Sequence, residues 1–274
     1  MELFTTAAGI TVHISDTGRD SASNMAKTPV LLLHGYLETM YVWSDFSEML
    51  SEKYRVISMD MPGHGLSDSA PLQDGERINS FDFCADVIKC ILDTCKVDSA
   101  VIGGHSMGGY AAMAFAKKYP EKTKKLILFN SHPYPDLPEK AVDRQREINL
   151  IRAGKLEIIA SLSIPNMYNP DNLPLFEDKV KESVELCQMH DPEGIVASIR
   201  GMQYREDMST FLGECKSPVL IICGDRDIYM PMDMVESMKK GYKNADFCIL
   251  ENCGHNSFVE KNKESFEQVS AFIG

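Results

Sequence analysis

The chain has 274 residues, enough to bury a large core in one elaborated α/β domain or in a domain carrying an insertion. Hydrophobic residues make up 44% and charged residues 25%, the make-up of a soluble globular protein rather than of a membrane-spanning or disordered one. A net charge of −12 and a pI of about 5.1 repel phosphate backbones and anionic lipid, which argues against nucleic acid or a membrane surface as partner.

The N-terminal stretch MELFTTAAGITVHISDTG has no basic n-region, no continuous apolar run and no clear cleavage site, so no secretory signal is expected. The first strand signal is Pro29–Leu33, PVLLL, followed by Tyr54–Met59. Ser80 then reads as the N-cap of a helix whose apolar face carries Cys84, Val87, Ile88, Ile91, Leu92 and Cys95. The run Ala100–Gly103 predicts a third strand, and Ala111–Tyr119 an Ala-rich helix stopped by Pro120. Lys125–Phe129, Pro218–Cys223 and Ala245–Leu250 complete the strands, and a weaker amphipathic helix spans Lys261–Ile273. Short Val, Ile and Leu runs alternating with helices predict a mostly parallel α/β sheet covered on both faces.

The alternation breaks once, from about Tyr134 to about Ser217, where no buried strand is expected. That segment is rich in Pro, Met and charge, with helical stretches at Ala141–Ala153 and Phe176–Met189. A structureless loop of this length does not fit a compact domain, so a helical insertion before the last two strands is predicted. The division is a core of 1–133 and 218–274 with an inserted helical cap of 134–217. The eight cysteines are scattered without a CxxC pair, as buried free thiols in a reducing cytoplasm would be. No cluster of His, Cys and carboxylates has metal-ligand spacing, so neither metal nor cofactor is expected.

Gly104-His105-Ser106-Met107-Gly108 fits G-x-S-x-G and sits between a buried strand and a helix, the context a nucleophile elbow requires. A sharp turn there strains the serine, and side chains at the flanking glycines would collide across it. The hydroxyl needs a base to take its proton, and the base needs an orienting acid. After Ser106 the chain has three histidines, His132, His190 and His255. His255 lies in Asn252-Cys253-Gly254-His255, just beyond the last strand. His190 closes an inserted helix and is expected at the surface, and His132 follows a strand and could line the pocket, but comes too early in the order to be the base. For the acid, Asp225 and Asp227 both follow the strand PVLIIC, and spacing alone tolerates either. Position points to two backbone N–H donors for an oxyanion: Met107 after the nucleophile, and Tyr36 in the loop His34-Gly35-Tyr36-Leu37.

Over nearly its full length the chain resembles the α/β-hydrolase superfamily. The residues that carry the resemblance are LLLHGY at 31–36, DMPGHGLSD at 60–68, GGHSMGG at 103–109, GDRDIYMP at 224–231 and NCGH at 252–255. The resemblance implies a catalytic triad of Ser106, Asp227 and His255. Asp227 is selected because it stands three after Gly224 and four before Pro231. The resemblance also makes Asp60–Asp68 a structural turn, leaving His64 without a catalytic role. A serine at the elbow disfavours the haloalkane dehalogenases and epoxide hydrolases of the superfamily, which carry Asp there. Glu38, in the loop after the first strand, has no account at this level. In the cap, Met167, Tyr168 and Tyr204 are candidate pocket residues.

The expected function is hydrolysis of a small uncharged or weakly polar ester through an acyl-enzyme, as in a carboxylesterase. Alternatives with the same triad are a C–C bond hydrolase, a lactonase or a thioesterase. A slow-turnover ligand receptor of the same fold is the non-enzymatic alternative. A small molecule is the expected partner in each case.

Overall fold

The computed structural model describes residues 1–274 apart from the side chain of Asp20. Its sheet has eight strands in the order β1-β2-β4-β3-β5-β6-β7-β8. The strands are β1 (Glu2–Ala7), β2 (Ile10–Asp16), β3 (Pro29–Leu33), β4 (Arg55–Met59), β5 (Ala100–His105), β6 (Thr123–Phe129), β7 (Val219–Gly224) and β8 (Ala245–Leu250). From β4 to β8 all pairings are parallel, and the β1–β2 hairpin joins the β4 edge antiparallel. The hairpin turns at Ala8 and Gly9, whose φ values of 47° and 84° are those of a tight two-residue hairpin turn.

Period-2 alternation splits the core between the two sheet faces. Leu31 and Leu33 pack into one cluster, while Val30 and Leu32 pack into the other. The short helix α1 (Ala22–Met25) precedes β3, and α2 (Ser44–Ser51) follows it. Helices α3 (Phe81–Thr94) and α4 (Met107–Lys118) cover the first face. The Ser80 hydroxyl accepts the Phe83 N–H and caps α3, whose buried face is the predicted stripe from Cys84 to Leu92. On the opposite face Trp43, Phe46, Phe129 and Phe258 form an aromatic cluster, with Trp43 and Phe258 stacked at 3.8 Å.

Between β6 and β7 the chain is helical: α5 (Pro138–Arg152), α6 (Leu156–Ser163), α7 (Glu177–Cys187), α8 (Pro192–Gln203) and α9 (Ser209–Glu214). After β7 come α10 (Met232–Gly241), β8, α11 (Ser257–Glu260) and α12 (Asn262–Ile273). Among the described residues no helix is long and apolar enough to cross a membrane, and the eight cysteines are unpaired.

One expectation is corrected. His190 is not a surface residue: it is 3% exposed, and its Nδ1 accepts the Gly65 N–H at 2.8 Å. The loop between α7 and α8 folds down onto the turn Asp60–Asp68, and His190 packs edge-on against His64 at 5.3 Å.

Candidate active site

Because β3 to β8 run parallel, the loops that follow them emerge at one edge of the sheet, where ligands bind in open α/β sheets. His34 to Glu38 follow β3, Ser106 follows β5, Asn130 follows β6, Asp227 follows β7 and His255 follows β8. Five loops distant in sequence therefore meet.

Ser106 has φ 49° and ψ −113°, the strained conformation of a tight strand-to-helix turn. Its N–H donates to the Phe129 carbonyl at 3.0 Å and its carbonyl accepts the Ser131 hydroxyl at 2.8 Å, which holds the strain in place. The flanking glycines are needed for contact. A Cβ on Gly104 would strike the Gly108 backbone, and one on Gly108 would strike the carbonyls of Leu33 and His34. Ser106 stands at the N-terminus of α4, where the helix dipole favours negative charge.

Of the two aspartates, Asp227 reaches His255. Nδ1 of His255 lies 2.7 Å from Asp227 Oδ2, which leaves Nε2 as the ring nitrogen not engaged by the carboxylate. The same oxygen accepts Asn130 Nδ2 at 2.9 Å, and Oδ1 accepts the N–H groups of Tyr229 at 2.8 Å and Met230 at 3.1 Å. Burial pushes the Asp227 carboxyl up, but the His255 charge and hydrogen bond, with Asn130 and the Tyr229 amide, hold it below the usual range. Asp225 instead accepts the Cys253 N–H at 3.3 Å and is partly exposed, as a turn aspartate would be. The His255 N–H donates to the Met167 carbonyl at 2.7 Å, and the Tyr229 ring lies 4.8 Å from the imidazole.

Among the described residues neither the Tyr36 N–H nor the Met107 N–H has an acceptor. Leu37, just beyond Tyr36, has φ +64°, and its N–H donates to His64 Nε2 at 3.4 Å. His64 thus supports this loop from the turn below it.

Above the edge, charged groups line the junction with the helical segment. Asp136 binds Arg144 at 3.2 Å and also binds Arg205, and Arg144 lies 3.7 Å from Glu147. The Tyr36 hydroxyl donates to Glu147 at 2.9 Å. Arg205 lies over the Tyr110 ring at 4.4 Å, and Arg144 over the Tyr36 ring at 5.9 Å. His132 is pushed down to about 4 by burial and by the charges of Arg205 and His255, so it is neutral at pH 7. A cavity of about 310 Å³ adjoins this cluster, lined by Tyr110, Met113, Pro133, Tyr204, Arg205 and Met208. Of the candidate pocket residues in the cap, Tyr204 lines that cavity, Met167 acts through its backbone carbonyl on His255, and Tyr168 is buried.

Sequence reasoning passed over Asn130 and His105. Asn130 has φ +48°, and its amide spans Asp227 and the Gly254 carbonyl at 2.9 and 3.1 Å. A polar Asn directly after a buried strand was the available signal. His105 occupies the variable position of the elbow motif, which carries no signal of its own.

A family model described as alpha/beta hydrolase fold matches residues 28–151. A 2-hydroxy-6-oxononadienedioate/2-hydroxy-6-oxononatrienedioate hydrolase of Paraburkholderia phymatum is 30% identical over 275 aligned residues, covering 96% of this chain and 91% of that protein. Among solved structures, a thermophilic esterase from Thermogutta terrifontis superposes with a TM-score of 0.89 at 26% identity, covering 100% of this chain and 98% of that one. An enol-lactonase from Burkholderia xenovorans gives 0.87 at 20% identity, covering 99% of each chain, a likeness of fold alone.

Proposed function

The chain belongs to the α/β-hydrolase family, and on that premise we propose that it is a serine hydrolase acting through an acyl-enzyme, with Ser106 as nucleophile, His255 as base and Asp227 as acid. The observation that carries the reading is the 2.7 Å contact between Asp227 and His255 at the sheet edge that also bears the strained Ser106. His255 Nε2 takes the Ser106 proton as Oγ attacks the substrate carbonyl carbon. The negative charge that moves onto the carbonyl oxygen meets the Tyr36 and Met107 N–H groups, which have no other acceptor. Collapse breaks the bond to the leaving group, which takes the proton from His255. Water then gives up a proton to His255 as it attacks the acyl-enzyme, and Ser106 Oγ leaves with that proton, returning the free enzyme and the acid. The segment 134–217 acts as the cap that shapes the pocket over this site.

The substrate class we favour is a small uncharged or weakly polar ester. Each arginine beside the pocket has a carboxylate partner, Arg144 and Arg205 against Asp136 and Glu147, which leaves no surplus positive charge for an anion. The second reading is cleavage of a C–C bond next to a carbonyl, in which the leaving group is a carbon protonated by the same imidazole. It is favoured by the name of the Paraburkholderia phymatum relative.

Two measurements test these statements. A fluorophosphonate should label the wild-type protein and leave Ser106→Ala unlabelled; equal labelling of both would remove Ser106 from the mechanism. A panel of esters, thioesters, lactones and vinylogous diketones, with Ser106→Ala as control, separates the substrate classes. Turnover confined to the diketones would overturn the ester assignment and keep the triad.

A further inference from the structure

Glu38, unexplained by the motifs around it, is 6% exposed beneath the site. Its Oε2 accepts the Gly35 N–H at 2.6 Å and faces Nδ1 of the fully buried His105 at 2.9 Å. The other nitrogen of that ring, Nε2, lies 3.0 Å from the backbone carbonyl of His255. We propose that Glu38 and His105 form a buried ion pair that positions the oxyanion loop, the nucleophile elbow and the base loop relative to one another.

The hydrogen bonds fit this pairing once Glu38 is ionised, whereas a protonated Glu38 would donate to a bare Nδ1. A carbonyl oxygen only accepts, so His105 Nε2 must donate to His255. An ionised carboxylate also only accepts, so Nδ1 must donate to Glu38. The ring then donates from both nitrogens, as an imidazolium. Burial pushes the Glu38 carboxyl up, but the His105 charge and hydrogen bond, with His34 and the Gly35 amide, hold it below its usual range. The contacts are close enough to exclude any side chain at Gly35, whose Cβ would stand 2.7 Å from His105 Nδ1 and 2.9 Å from Glu38 Oε2. Phe258 packs edge-on against the His105 ring at 5.0 Å and Trp43 at 6.5 Å, which keeps water from the pair.

Each anchored group is one bond or one residue away from chemistry. Gly35 precedes Tyr36, His105 precedes Ser106, and the anchored carbonyl belongs to His255 itself. Glu38 and His105 touch no reacting atom and are positioning residues. Their role rests on the serine-hydrolase reading above.

The test uses Glu38→Gln in the full chain. The amide oxygen can still accept from Gly35 and from His105 Nδ1, but the charge that keeps both ring protons is gone, and the His255 carbonyl loses its donor. The fluorophosphonate labelling rate of Ser106 should fall roughly a hundredfold, the scale of an ångström-level misplacement. With any ester that is turned over, kcat should fall alike and KM should stay. A general loss of packing would move KM and the melting transition instead. In ¹⁵N-histidine spectra of the wild-type protein, assigned against His105→Gln, both His105 ring nitrogens should be protonated at pH 7. A bare nitrogen on His105, or wild-type labelling of Glu38→Gln, overturns the proposal. If Glu38→Gln does not fold, the wild-type spectrum still decides. If the wild-type protein itself fails to label, the serine mechanism falls, and a bare nitrogen still overturns the pair on its own.

Discussion

At the scale of single residues, two aspartates two positions apart have different surroundings. Asp227 is 4% exposed and gives one oxygen to His255 and the other to two backbone amides, so its position and its charge are both held. Asp225 accepts one amide and meets solvent. On the proposed mechanism, Asn at 227 keeps the shape but removes the charge that steadies an imidazolium and selects the tautomer. In a serine protease the equivalent change lowers kcat about ten-thousandfold. Asp227→Asn should therefore lower kcat by several orders of magnitude with circular dichroism unchanged, and Asp225→Asn should lower it far less. Steady-state kinetics on the two variants decides between them. A severe loss at Asp225 would move the acid by two residues and leave the mechanism standing.

At the scale of elements, the α7–α8 loop meets the turn Asp60–Asp68 through three imidazoles packed edge to face. His34 and His64 lie 5.2 Å apart and His64 and His190 5.3 Å apart, with Asp60 nearby. Burial, then the His34 charge, pushes His190 down to about 4, and burial likewise lowers His34 and His64. Between the unfolded value of about 6.5 and about 4, the unfolded chain holds protons that the folded chain does not. Stability should therefore be complete above about pH 6.5 and fall as the pH drops toward 4, by on the order of 3 kcal/mol for His190 alone. Urea unfolding at pH 7, 5 and 4 measures the slope. His190→Gln removes one titrating group and keeps an acceptor for Gly65, so its stability should fall less steeply with acid. A slope as steep as the wild type would mean that His190 does not couple the two elements.

At the scale of the whole molecule, Asp136 joins the helical insertion to the core. It lies just after β6, and its partners come from α5 (Arg144) and from beyond α8 (Arg205). The Asp136 side chain is 7% exposed, and those of Arg144 and Arg205 are 12% and 6%. Removing one partner of a buried pair leaves charge without compensation, at a cost of about 3–5 kcal/mol. Asp136→Ala should cost an amount in that range by urea unfolding. Because Arg144 lies over the ring of Tyr36, the same variant should also weaken turnover. A loss of stability below about 1 kcal/mol, the worth of an exposed pair, would show that the cluster is solvated.

Short-range chemistry controls the features that are legible along the chain. Continuous Val, Ile and Leu runs marked the parallel strands, because a strand covered on both faces has no polar side to expose. Pro29–Leu33 and Ala245–Leu250 emerged with the bounds the structure has, and Ser80 capped the predicted helix. The elbow was legible because its glycines and serine are neighbours in the chain. The β1–β2 hairpin went unread because it carries no continuous Val, Ile and Leu run: polar residues alternate with apolar ones along both strands, although β2 is largely buried and only β1 forms the exposed edge. The rest depended on contacts between distant segments. Asp225 and Asp227 are equivalent in the sequence, and only the approach of β8 to β7 brings His255 to one of them. His190 reads as polar and exposed until the helical insertion folds onto the turn beneath it. Glu38 and His105 stand 67 residues apart, and Asn130 and Asp227 97 apart. No local pattern links such pairs, because a hydrogen bond across the sheet edge depends on which loops the topology brings together.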